Sequence, residues 1–264
     1  MKRIVFSIYT SDIDKNHTST TSFKRSQFEK YKDQLEDRQR KYAEICNAHY
    51  KLFQASNTNF IDIQFEKLIL FTELSKEYDE VLYLDFDVIP MTNKVFFDSF
   101  DLNMISGYKL DRVTDVMHKI QRRIDDDGFD RMNMFCKTCC KKAMLLLEDM
   151  DSDNYIFNTG VFAGNKKSIK KLNFIKRLKR TKKVFEEASV DNLYPKEINK
   201  WWKPNNEVFV SYMVEKFKIP YNNIGLQWNF ILDNWNPKPA ASGYLLHYIR
   251  KEFNLTLDEN ENYR

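Results

Sequence analysis

The stretch "VLYLDFDVIP" (residues 81–90) sets two carboxylates, Asp85 and Asp87, one residue apart at the end of an apolar run. A buried strand has no need of carboxylates at its tip. At a strand end the backbone can turn so that both approach one cation. Hard carboxylate oxygens suit Mg²⁺ or Mn²⁺, above all where the cation also meets phosphates. The bland alternative, a solvated pair in a turn, is disfavoured by the apolar "VLYL" and "VIP" on either side.

Other residues with chemistry lie further along. Asn158 sits in the apolar stretch "YIFNTGVFAGN", where an unpaired amide is costly, so it either binds something or caps a turn. Asn206 and Glu207 open "NNEVFVSYMVEKF" just past a Trp-Trp-Lys-Pro turn. Glu207 reads equally as a helix N-terminal acid favoured by the dipole. His247, with Arg250 and Lys251 close behind, ends the apolar "YLLHYIRKEF"; alone, such a histidine is more often structural. Trp201, Trp202 and Trp228 present faces on which a sugar could stack, or could be core.

These residues need elements to position them. "RIVFSIYT" (3–10) reads as an inner strand. From Phe23 apolar residues recur at three- and four-residue spacings to about Ala48, which predicts an amphipathic helix. "YKLFQA" (50–55) follows as a second strand, 60–78 as a helix and "EVLYLDFDVIP" as a strong strand. That alternation predicts a parallel sheet with crossover helices, in which ligands bind at the carboxyl ends of the strands. Further strands are expected at 102–108 and 155–165, and helices within 109–150, over 166–187 and after Pro204. "IGLQWNFILDNW" and "YLLHYIRKEF" supply the last strands.

"EYDEVLYLDFDVIP" resembles the D-x-D segment of nucleotide-sugar glycosyltransferases of the GT-A fold, closest to the glycogenin and bacterial lipopolysaccharide galactosyltransferase family. "FEKLILFTEL", "YIFNTGVFAGN", "NNEVFVSYM" and "LLHYIRKEF" resemble further segments of that family, in the same order. The resemblance implies a single GT-A domain over 1–264, an α/β fold with a mainly parallel central sheet. Its nucleotide-binding half would be 1–107 and its donor-sugar and acceptor half 108–264. It implies that Asp85, Asp87 and His247 hold Mn²⁺ (or Mg²⁺), the imidazole favouring manganese. Tyr9, Thr10, Lys67, and Arg250 or Lys251 would serve the nucleotide and its diphosphate. Asn158 would contact the donor sugar, and Asn206 and Glu207 would stand at the reaction centre. Retaining blood-group-type transferases carry a Glu in a similar segment. The chain departs from the family in "FSIYTSD", which lacks the acidic and Asn pattern that holds the nucleoside. It also has Asn206 where aspartate is common, and no Gly or Lys-Pro-Trp after the terminal His.

The expectation is a glycosyltransferase that moves a hexose from a UDP-linked donor to a hydroxyl on a glycan, lipid-linked or protein acceptor, with retention. The rivals are an inverting enzyme with Glu207 as base, a nucleotidyltransferase and a catalytically weak sugar-nucleotide-binding protein. The nucleotidyltransferase would normally add a Gly-rich phosphate loop after the first strand, and "YTSDIDKNHT" has none. A formal charge of +4, from 42 basic and 38 acidic residues, demands no acidic partner. The basic stretch 166–183 could dock peripherally on an anionic membrane, but no recognised module accompanies it and no nucleic-acid partner is expected. No apolar run approaches the ~20 residues of a membrane span. The N-terminus turns polar too early for a signal peptide, so the location expected is cytoplasmic. The Asn16 and Asn254 sequons then carry little weight. Cys46 and the three cysteines of "CKTCC" (136–140) read as reduced thiols, because the second ligand pair of a zinc site is missing.

Overall fold

The computed structural model describes residues 1–10, 22–56, 60–110, 128–190, 204–232, 239 and 242–258. Trp201 and Trp202 lie outside them. The strands are β1 (Arg3–Tyr9), β2 (His49–Gln54), β3 (Glu80–Leu84), β4 (Val88–Pro90), β5 (Ile105–Leu110), β6 (Ile156–Asn165), β7 (Tyr221–Asn223), β8 (Phe230–Leu232) and β9 (Leu245–Tyr248). The helices are α1 (Ser22–Ile45), α2 (Phe60–Leu74), α3 (Phe96–Ser99), α4 (Gly128–Leu146), α5 (Lys166–Leu172), α6 (Phe174–Val190), α7 (Asn206–Lys216) and α8 (Asn254–Leu257).

Six strands form the central sheet in the order β2-β1-β3-β6-β5-β7. β2, β1 and β3 run parallel, as their alternation with α1 and α2 requires. β6 is the exception, antiparallel to both β3 and β5. The architecture is the α/β fold with a mainly parallel sheet and flanking helices that the sequence implied.

Side chains alternate across the sheet and build a core on each face. On one face Ile4, Phe6, Val81, Tyr83 and Phe162 pack against α2, α4, α6 and α7. On the other, Val5, Leu82, Leu84, Val161 and Ala163 meet Tyr42 and Ala43 of α1 and Phe96 and Phe97 of α3. Trp228 belongs to this second core. Its ring lies 5.2 Å from Phe96, 5.7 Å from Phe100 and 5.1 Å from Tyr244, centroid to centroid. Aromatic neighbours occupy its surroundings, so the stacking surface expected of it is not on offer to a sugar.

Two further differences from the sequence reading matter. The expected helix over 166–187 is two helices, broken at Asn173, which takes the left-handed conformation (φ 46°) and returns its N–H to the Ile169 carbonyl. The break lets Leu172 and Phe174 both be buried. The expected strand 80–90 is also two. It turns at Asp85–Asp87 and resumes as β4, which joins β9 and β8 in a small second sheet.

Candidate functional site

The turn between β3 and β4 is built by its neighbours. The Val88 N–H closes it onto the Asp85 carbonyl at 2.9 Å. Gln39 of α1, fully buried, clamps it from below. Its amide nitrogen donates to the carbonyls of Asp85 (3.0 Å) and Val88 (2.9 Å), and its oxygen accepts from Ser7 Oγ (2.5 Å) and Tyr50 Oη (3.2 Å). A polar residue inside an apolar helix face is tolerated there because every one of its groups is used.

His247 arrives from the far end of the chain. β9 pairs antiparallel with β4, and His247 stands opposite Val88. Its Nε2 lies 3.6 Å from Asp85 Oδ2 and 3.5 Å from Asp87 Oδ2. One ligand atom from each of Asp85, Asp87 and His247 falls within 4.8 Å of the others, the one such group among the described residues.

The hydrogen bonds around it fix the ring. The Gly160 N–H can only donate, and it points at Asn158 Oδ1 at 3.0 Å. That atom is therefore the amide oxygen, and the Asn229 amide donates to it at 2.7 Å. Asn229 Oδ1 then accepts from His247 Nδ1, 3.0 Å away. With the proton on Nδ1, the Nε2 lone pair faces two carboxylates. Three lone-pair donors converge, and a divalent cation suits that set. The same logic turns the Asn158 amide nitrogen to Glu207 Oε1, at 2.9 Å. One buried chain of polar contacts thus runs from the carboxylates through His247, Asn229 and Asn158 to Glu207.

The Asn-Thr-Gly of β6 serves this site at each position. Asn158 is the junction just described. The Thr159 carbonyl accepts from Lys67 Nζ (3.3 Å) and its hydroxyl from the Asn206 amide (2.8 Å). Gly160 makes room: a Cβ there would lie 2.2 Å from His247 Cε1.

Basic groups surround the carboxylates. Lys67, on α2 and buried, donates to Asp85 Oδ1 at 3.1 Å. The same oxygen accepts from Tyr83 Oη at 2.5 Å. Burial first, and then the Asp85 charge, pushes the Tyr83 hydroxyl far above its ordinary range, so it stays a donor. Lys251, held at φ 63°, donates to Asp87 Oδ2. Burial alone would raise the Asp87 carboxyl, but the Lys251 ammonium outweighs it and holds it far below the usual carboxylate range. The sequence left Arg250 and Lys251 as alternatives. Lys251 faces the carboxylates, whereas Arg250 pairs with Glu252 at 2.8 Å.

Glu207 lies in the first turn of α7. Asn205 caps that helix, accepting from the Glu207 N–H at 2.9 Å. Its carboxylate also receives Lys137 of α4, a residue the sequence reading passed over. Tyr9 and Thr10 lie at the end of β1. The Tyr9 ring packs 4.9 Å from Phe86 and 6.2 Å from Phe28, with Lys32 Nζ 5.2 Å above it. Cys46, Cys136, Cys139 and Cys140 are free and buried.

The chain belongs to glycosyl transferase family 8, whose model matches residues 1–232. His247, Arg250 and Lys251 lie beyond the matched span. No curated protein matches the chain by sequence. Among solved structures it is similar to a glycosyltransferase involved in glycosylation of the major capsid of PBCV-1, at 12% identity and a TM-score of 0.48, over 94% of this chain and 92% of that one. It is similar to the galactosyltransferase LgtC in complex with donor and acceptor sugar analogues, at 14% identity and a TM-score of 0.43, over 93% and 86%. The glycosyltransferase GlyE of Streptococcus pneumoniae TIGR4 matches at 14% identity and a TM-score of 0.39, over 94% and 55%. No helix among the described residues is long and apolar enough to cross a membrane.

Proposed function

We propose that this glycosyltransferase moves a hexose from a UDP-linked donor to an acceptor hydroxyl with retention, and that it needs Mn²⁺ to do so. The observation that carries the reading is the convergence of Asp85, Asp87 and His247 Nε2, beside Lys67 and Lys251. Those three residues would hold the cation, which supplies charge neutralisation to the departing diphosphate.

The chain's own residues do the rest. Lys67 and Lys251 give further positive charge where negative charge builds on the leaving group. The aromatic surface of Tyr9, with Thr10 beside it, receives the nucleoside. Asn158, Asn206 and Glu207 line the place of the hexose. As the bond from C1 to the phosphate oxygen breaks, C1 gains positive charge, and the Glu207 carboxylate stabilises it. The acceptor oxygen bonds to C1 from the face the diphosphate leaves, and its proton passes to the departing phosphate oxygen. The whole chain acts as one unit, with the nucleotide held by 1–107 and the sugar and acceptor by 108–264. Docking on an anionic membrane, near a lipid-linked acceptor, suits the stretch 166–183, which carries ten basic residues and no acidic one.

The test is a panel of nucleotide-sugars incubated with Mn²⁺ and no acceptor, scored for slow donor hydrolysis. One UDP-hexose should be hydrolysed, and EDTA should abolish the reaction. Hydrolysis that proceeds equally in EDTA would refute the cation. An acceptor product of inverted anomeric configuration by NMR would refute retention.

A further inference from the structure

We infer that Lys137 is a positioning residue for this reaction, holding the Glu207 carboxylate in place and aimed at the donor sugar. The inference rests on the hexosyl-transfer reading above. Lys137 Nζ donates to Glu207 Oε2, and the two side chains are only 14% and 10% exposed. The other carboxylate oxygen accepts from the Asn158 amide at 2.9 Å. Both oxygens of Glu207 are therefore held, one by an ammonium and one by an amide that belongs to the chain reaching His247.

The "CKTCC" motif explains how the lysine gets there. Cys136, Cys139, Cys140 and Met144 recur at helical spacing and are all buried, so they set the rotation of α4 against the core. Lys137, one residue round from Cys136, is thereby turned to α7. The cysteines are a packing face, and the charge they deliver is the functional element.

The physics favours a role in the reaction. A carboxylate in a nearly dry pocket with one neutral donor is poorly compensated and swings toward solvent. With the ammonium beside it, it is held in one rotamer, which a group stabilising a developing cation requires. Two other lysine–glutamate pairs join the same region of α4 and α7, Lys141 with Glu215 and Lys216 with Glu148. They could make Lys137 one more helix contact. Neither of those glutamates contacts the Asn158–Asn229–His247 chain, whereas Glu207 does.

The test is a double-mutant cycle with Lys137→Met and Glu207→Gln, plus Lys137→Arg, assayed with Mn²⁺ and the UDP-hexose that the wild type hydrolyses. Lys137→Met should lower kcat by about 10²-fold. Its Mn²⁺-dependent UDP affinity should stay within a factor of about two, because the lysine does not touch the carboxylate pair. Lys137→Arg should recover most of the loss. In the Glu207→Gln background Lys137→Met should cost nothing more, and that neutral pair keeps the test open should Lys137→Met alone fold poorly. Losses that multiply across the cycle, or an unchanged kcat in an active background, would overturn the inference alone. A wild type that neither transfers nor binds UDP with Mn²⁺ overturns the hexosyl-transfer reading, and this inference with it.

Discussion

Gly160→Ala is the smallest change that bears on the candidate cation site without removing a ligand. The new methyl would lie 2.2 Å from His247 Cε1, 2.7 Å from Nδ1 and 2.9 Å from Asp85 Oδ2. Ordinary contact starts at 3.4 Å, so the imidazole would retreat by about 1.2 Å. The strand cannot give way instead. The Gly160 carbonyl accepts from the Asp85 N–H at 2.7 Å, and its N–H is spent on Asn158. The ring would then leave its 3.0 Å contact with Asn229, and Nε2 would leave its place beside the carboxylates. Metal–ligand distances tolerate about 0.2 Å, so a shift of this size removes His247 as a ligand. Disturbing the groups that orient a ligand costs about 10–100-fold in affinity, and losing the ligand should cost at least that. Overpacking of about 1–3 kcal/mol in stability accompanies it. Calorimetry of UDP with and without Mn²⁺ reads the effect: the Mn²⁺-dependent part should largely vanish, while metal-independent binding persists. If Gly160→Ala is folded and its Mn²⁺-dependent affinity matches the wild type, His247 is not a ligand and the close approach across β6 has no functional meaning.

Asp87→Asn should abolish most Mn²⁺-dependent affinity for UDP, since an amide is a poor ligand for a hard cation; equal affinity in EDTA and Mn²⁺ for the wild type would dispose of the claim. Burial raises and Lys109 and Lys141 together lower the Asp153 carboxyl, the lysines winning and holding it far below its usual range. A depressed carboxyl stabilises the fold above its unfolded value of ~3.9 and loses that contribution as pH falls through its folded value. Asp153→Asn should therefore lower the melting temperature at pH 7, with a gap that starts to narrow only as pH falls below about 4 and is still mostly present at about pH 3; a gap that stays constant as pH falls further would show the ion pairs to be irrelevant. The Cys140 thiol is pushed far up, chiefly by burial, so a thiol reagent at neutral pH should label Cys136, Cys139 and Cys140 only on unfolding; rapid labelling of the native protein would contradict the packing of α4.

What the sequence disclosed follows from which signals are local. The alternation over β1, α1, β2, α2 and β3 was legible because each element carries its own periodicity, and the carboxylates at a strand end stood out against an apolar background. The direction of β6 was not. All but its last residue is buried, so its hydrophobic run looks like any inner strand, and orientation resides in connections that periodicity does not record. Trp228 was ambiguous for a related reason, since an aromatic ring suits a core and a sugar equally. Lys137 and Gln39 escaped notice as polar residues in helices, where the solvated face is the ordinary assignment. Asn229, fully buried among Trp228, Phe230 and Ile231, left one faint cue: an amide inside an apolar run must find partners.

The pairing of β4 with β9 has a topological consequence. It brings residue 247 beside residues 85–87, so an ion gripped by all three would close a loop of about 160 residues. In that respect it would work as a reversible counterpart of a disulfide. Unlike a disulfide, it would let go on unfolding, so it would stabilise the folded chain by mass action rather than by restricting the unfolded one. Substrate turnover and resistance to unfolding would then draw on the same bond set. The protein would be hardest to unravel while it is loaded and softer between cycles, when the last strands rely on their own short ladder, their core packing and the contacts of His247 and Lys251.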